Sequence, residues 1–183
     1  YLSILLLPFT AQTQQAQLSG IINHYAAVTA IDTCTGRIAV SDTTGFRTGA
    51  IILLLQMQGA TISSANNAGF GHVPDMHGAG KFERITIDSV AAGALFTRNQ
   101  WINGYDPAGQ VQAVTFPHYE NALVIDTLRP APWNGSTGGM LAFSVQNTLT
   151  LDAPVVAAGA GFRGGAAYVA PENNCNWQRG GSN

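Results

Sequence analysis

A chain of 183 residues with a net charge of −2 has room for one domain, or for one domain and the start of another. Only 10% of its residues are Asp, Glu, Lys or Arg, against about 25% in an average soluble domain, and 21 are glycine. Nothing here makes a basic surface for nucleic acid, and no window sustains a 3.6-residue apolar period, which leaves an all-β fold rich in turns.

Residues 1–11 are signal-peptide-like: an apolar stretch from Leu2 to Leu7, a break at Pro8, then small residues at Thr10 and Ala11. The stretch is too short to span a bilayer, which needs about 20 apolar residues, so no transmembrane span is expected. Two outcomes stand, cleavage after Ala11 or retention as a strand packed on a neighbour. Residues 12–20 read as a polar, Gln-rich lead-in.

Residues 21–132 read as a small β-barrel or sandwich. Strands are expected over 26–31, 37–41 and 50–57, with Phe46 in the intervening loop turned back to the core. Ile51, Ile52, Leu53, Leu54 and Leu55 are apolar without interruption, so this strand should be buried on both faces at the centre of the module. A long loop occupies residues 58–80, and loops of that length in a compact domain are commonly functional. Strands resume over 82–90, 94–97, 111–117 and 119–128, and Pro130 and Pro132 end the last of them.

Residues 133–172 lead into a coil. Leu141, Phe143 and Val145, then Leu149 and Leu151, then Val155 and Ala157 alternate with small or polar residues, with corners at Asn147, Asp152 to Pro154, and Gly159. Three short strands so closely spaced suggest the first rung of a right-handed parallel β-helix. The alternative is one hairpin of a sandwich. Residues 173–183 form a Gly/Asn-rich tail, and the natural chain is expected to continue. Cys34 and Cys175 are the only cysteines and share no metal-type spacing. In an exported chain they read as a disulfide, with two free thiols as the alternative.

A resemblance rests on blocks of residues in order. These are Ile22, Asn23, Tyr25, Ala27, Val28 and Thr29; Phe46, Gly49, Ile52, Leu53, Gln56, Met57, Gly59 and Ala60; and Ala79, Gly80, Phe82 and Glu83. Then come Val111, Gln112, Val114, Pro117 and Tyr119; Trp133, Gly135, Gly138 and Gly139; and Gly159, Gly161, Phe162, Arg163, Gly164 and Gly165. Over about residues 21–165 the chain resembles the N-terminal module of large, secreted, adhesin-like surface proteins of Bacteroidetes, including type IX secretion cargo. The resemblance implies a β-rich scaffold on the extracellular or outer-membrane surface and supplies no reaction. Ala50 departs from it, standing where an acidic residue is usual.

Candidate chemistry is sparse. His72, Asp75 and His77 form a weak metal-type cluster on the long loop, lacking a fourth partner. Trp101, Asn103, Tyr105 and Asp106 combine aromatic faces with polar groups in the manner of a carbohydrate contact, the alternative being that Trp101 caps the end of the core. Asp75, Glu83, Asp106, Glu120 and Asp126 are scattered over different elements, with no nucleophile elbow, so no catalytic residue, cofactor or enzymatic activity is expected. Thr43, Ser89 and Thr127 each follow an Asp in triplets resembling O-glycosylation sites. Arg163, framed by glycines, reads as a structural stitch between coil and barrel. The expected partners are other copies or downstream domains of the same parent, and surface glycans. The reading is therefore a non-enzymatic display or adhesion module. Its alternatives are a filament subunit that inserts residues 2–9 into a neighbour, and the non-catalytic N-terminal part of a carbohydrate-active enzyme.

Overall fold

The computed structural model describes residues 15–98 and 101–162. The calls on residues 1–11, Arg163, Cys175 and the tail lie outside them. Nine strands occur among the described residues, and the helical element there is a single 3-10 turn, Pro107–Gly109.

Six strands close a barrel. They are β2 (Tyr25–Asp32), β3 (Arg37–Val40), β4 (Ile51–Gln56), β5 (Phe82–Ala91), β6 (Ala94–Thr97) and β7 (Val111–Thr115), in the order β2-β3-β6-β5-β4-β7, with β7 returning to β2. All pairs are antiparallel. Closure satisfies every strand edge, which a sandwich of the same strands would leave exposed. The expected strands match closely because each carries one apolar face. Ala26, Val28, Ile38, Val40, Ile52, Leu54, Ile85, Ile87 and Leu95 fill the interior together with Phe46 from the 41–50 loop.

β4 is buried on both faces, as its unbroken apolar run requires. Ile52 and Leu54 point into the barrel, while Leu53 packs outward with Val114 beneath Ala142 and Met140. That outer cover is a connecting segment, and buried amides fix it there. Asn23 donates from Nδ2 to the carbonyls of Thr115 and Ala142, and its Oδ1 accepts the Ala142 N–H at 3.0 Å. Gln112, fully buried, donates to the Gly138 carbonyl at 3.1 Å and accepts the Gly138 N–H at 2.9 Å. Gly138 has φ 101°, and a Cβ there would stand 2.5 Å from the Pro132 carbonyl, so the clamp needs a glycine.

The other three strands form a separate parallel sheet, β1-β8-β9: β1 (Ala16–Gly20), β8 (His118–Leu128) and β9 (Ser144–Leu151). This revises the reading in three places. A strand runs through the stretch taken as a polar lead-in. β8, grouped with the barrel by sequence, pairs with β1 and β9 instead. The coil contributes one strand and an isolated bridge at Val155, where three short strands were expected. Parallel pairing also removes the hairpin alternative. Asn147, taken as a corner, lies at a bulge: Tyr119 pairs with Val145 and Asn121 with Thr148, so β9 carries one extra residue between them.

The parallel sheet stacks like residues in columns. Leu18, Val124 and Leu151 form one, and Ala16, Ala122 and Leu149 a second. Val155 sits beside Leu128 just as Leu149 sits beside Ala122, so the chain returns to the same column after 27 residues. Between β1 and β8 the return takes far longer, because the whole barrel is threaded into that turn.

Replacing Asn23 with Ala strands the buried N–H and carbonyl of Ala142 and should cost about 3 kcal/mol in urea unfolding. A loss below about 0.5 kcal/mol, the size of an ordinary surface change, would refute the clamp.

Candidate functional site

Antiparallel closure sorts the barrel connections onto two ends. The 21–24, 41–50, 92–93 and 116–117 connections face the end where β1 and β8 attach. The 33–36 turn and the long 57–81 and 98–110 segments gather at the opposite, distal end. Every metal and carbohydrate candidate read from the sequence falls on this distal end.

The long loop is an ordered arm. Thr61 bridges to Asp75, and Ser63 exchanges backbone hydrogen bonds with Gly71 and His72. Gln56, at the end of β4, anchors its base. The buried Gln56 side chain donates to the carbonyls of Gln58 and His77, and its Oε1 accepts the Asp106 N–H at 3.0 Å. One amide thus ties both long distal segments to the barrel wall. The backbone at Gly78 runs so close to it that a Cβ would lie 2.7 Å from Gln56 Oε1. Sequence reading placed this residue among the blocks that carry the resemblance and gave it no role of its own.

The metal-type cluster resolves into a local turn. Asp75 Oδ1 accepts the His77 N–H at 2.7 Å, and its other oxygen lies 3.5 Å from His77 Nδ1. His72 contributes its carbonyl to the arm. Among the described residues no three His, Cys, Asp or Glu side chains converge as metal ligands.

The aromatic candidates follow the core-capping alternative. Trp101 and Tyr105 are half-buried and pack on the barrel core, closing its distal mouth. The Glu83 carboxylate holds the strap above them, accepting the N–H groups of Ile102 at 2.9 Å and Asn103 at 3.2 Å. Asp106 caps the 3-10 turn through the Ala108 N–H. Ile102, 95% exposed, is the tip of the strap. Trp101 Nε1 and the Tyr105 hydroxyl are closed to solvent without hydrogen-bond partners; the hydroxyl lies near Glu83 and Asn103 outside bonding geometry. Burial drives the Tyr105 hydroxyl far above the ordinary tyrosine range, and the Glu83 charge adds to it.

The remaining candidates are dispersed. Cys34 is exposed with a free thiol on the 33–36 turn, and its expected disulfide partner, Cys175, lies outside the described residues. Its N–H is held by Asp32, whose carboxyl is kept below its usual range first by the Thr35 hydroxyl and then by the Cys34 N–H. Of the glycosylation triplets, Thr43 lies half-buried on a loop and Ser89 is exposed on β5. Thr127 is half-buried near the end of β8, its N–H bound to Asp126. At the corner after β9, Trp133 packs on Phe162 with ring centroids 4.8 Å apart, and the Trp133 N–H bonds the Ala160 carbonyl.

No protein-family model matches this chain, and no curated relative does. Among solved structures it is similar to the Gp54 tailspike of Acinetobacter baumannii bacteriophage AP22, in complex with A. baumannii capsular saccharide, at 8% identity and a TM-score of 0.36. It is also similar to the tailspike protein gp49 of Pseudomonas phage LKA1, at 12% identity and a TM-score of 0.32. The likenesses cover 72% and 78% of this chain, which spans 23% of each tailspike. At this level of similarity neither bears on what this chain does.

Burial raises the Tyr25, Tyr105 and Tyr119 hydroxyls above the free tyrosine value of 10.0. Their contribution to stability is complete below that value and is lost as pH rises beyond it, because the unfolded chain ionises first. Stability should therefore fall above pH 10, with part of the tyrosinate absorbance appearing only as the chain unfolds; full ionisation of the folded chain near pH 10 would contradict this. Tyr105→Phe removes an unpartnered hydroxyl and should leave the melting temperature unchanged or raised.

Proposed function

We propose that this chain is a non-enzymatic surface module in which the barrel is displayed at the closed end of a parallel β-helical stack. The observation that carries the reading is the burial gradient along the columns. Leu18 and Val124 are 3% and 0% exposed, whereas Leu151 in the same column is 57% exposed; Leu128 is 0% and its neighbour Val155 44%. A stack finished at β9 would leave Leu149, Leu151 and Val155 and an unpaired strand edge in water. A further coil, returning after about the same interval, covers both. The stack thus grows away from β9, and the distal loops of the barrel are left free for contact.

The acids fit a non-catalytic role. Asp32, Asp42, Asp75, Glu83, Asp106 and Asp126 each accept a backbone N–H, which engages them in holding turns. The resemblance to Bacteroidetes adhesin-like modules belongs to the same proposal. Asn23, Gln56 and Gln112, three of the residues that carry it, are the amides that clamp the loops to the barrel. Extracellular or outer-membrane surface placement follows from this reading, with downstream domains of the parent and surface glycans as partners. No helix among the described residues is long and apolar enough to cross a membrane.

Antibodies raised against the 57–81 arm should label intact cells of the source organism; labelling only after permeabilisation would overturn the display role. With a further coil in place, β9 amides should exchange with solvent as slowly as those of β8; exchange along β9 as fast as at a free strand edge would overturn the growing stack.

A further inference from the structure

We propose that a hydroxyl-lined groove on the outer wall of the barrel binds a neutral oligosaccharide; this rests on the reading of the barrel as the displayed part and names its ligand class. The groove begins as a recess of 330 Å³ bounded by Thr48 before β4, Thr86 and Asp88 on β5, and Arg98 after β6. Arg98 also borders a second recess, of 130 Å³, which reaches Thr35 and Trp101 at the distal end. The two recesses share Arg98 as a wall, and the first alone lies within the range of about 300–1,000 Å³ typical of small-molecule sites.

A bulge builds the centre of the groove. Ile87 pairs with Thr97 and Ser89 with Phe96, so Asp88 is the extra residue on β5. Its carboxylate meets Arg98 Nε at 2.5 Å, while the two side chains remain 36% and 82% exposed. Bulges re-aim side chains in this way, and here the result is an acceptor and a donor side by side. A vicinal diol needs that pairing: the carboxylate accepts its O–H groups while the remaining guanidinium N–H groups donate to its oxygens. The Thr48 and Thr86 hydroxyls can each donate or accept along the path, and the Thr35 hydroxyl, which donates to Asp32, can accept.

The pair also sets the charge of the ligand. Asp88 neutralises Arg98, so the centre of the groove offers no net attraction to a polyanion, and its carboxylate opposes a uronate or phosphate directly. Trp101 closes the distal end. Its half-buried ring gives the apolar contact that the C–H face of a sugar takes. Of the residues first read as a carbohydrate contact, Trp101 alone borders this groove; the others lie on the strap and the turn beyond it.

The test is calorimetric titration of the whole chain with glucose-, galactose- and mannose-based tetrasaccharides, with tetragalacturonate as the acidic comparison. At least one neutral ligand should bind saturably in the millimolar range, with little dependence on salt and a change in tryptophan emission that Trp101→Phe abolishes. Asp88→Ala and Thr86→Val, both at solvent-facing positions, should each weaken binding about tenfold, the loss of one good hydrogen bond, at unchanged melting temperature. Absence of saturable binding up to about 10 mM, a concentration at which even feeble sites fill, overturns the proposal. So does binding indifferent to Asp88→Ala, or binding confined to tetragalacturonate and abolished by salt. Cell labelling and β9 exchange do not involve the groove, so its failure leaves the display reading standing, and failure of those measurements leaves the groove to be judged by titration.

Discussion

The outer face of β4 can be buried only if a connecting segment lies against it, and two buried amides hold that segment in place. Leu53 and Val114 would otherwise put apolar surface into water on the outside of the barrel. The closed barrel has no edge left for a further strand to pair with. The 138–142 segment covers those side chains with unpaired backbone, whose N–H and C=O groups need partners once buried. Asn23 and Gln112 carry a donor and an acceptor on one planar group, and so satisfy an N–H and a carbonyl of the same residue together. The segment that covers β4 also leads directly into β9. The clamp therefore fixes the stack relative to the barrel as well as completing the core.

Gln56 applies the same chemistry at the other end. There an amide joins two loops distant in sequence, and the distal end becomes a defined surface with an ordered arm. The barrel thus divides its work by end and by wall. One end is occupied by the parallel sheet, the other is closed by Trp101 and Tyr105 and carries the arm, and the β5–β6 wall bears the Asp88–Arg98 pair. Antiparallel closure makes this division unavoidable, since successive connections must alternate between ends.

Much of the fold was legible in the sequence. Strands β2 to β8 stand within a residue or two of where alternation places them, and the unbroken run from Ile51 to Leu55 announced a strand buried on both sides. β1 escaped notice because Leu18 is its one large apolar side chain, too little to raise a period above its polar neighbours. The candidate site was less legible. Trp101 was open to two readings, a carbohydrate contact or a cap on the core, because aromatic residues within a polar loop carry no mark of whether they rise from the surface or sink into it. Asp88 and Arg98 stood ten residues apart with nothing to link them until a bulge and a hairpin brought them together.

Side-chain alternation is a property of a few consecutive residues, and the sequence determined by itself everything that depends on it: an all-β chain, its strands, and the strand that must lie at the centre. Which strands pair is a different matter. β7 and β8 have the same local pattern, yet one closes an antiparallel barrel and the other stacks in parallel between strands far away on either side in sequence. Alternation says that a face must be covered and is silent about what covers it. That choice rests on hydrogen-bond satisfaction over separations that reach 119 residues at Asn23, and only the tertiary structure, through Asn23, Gln56 and Gln112, decided it.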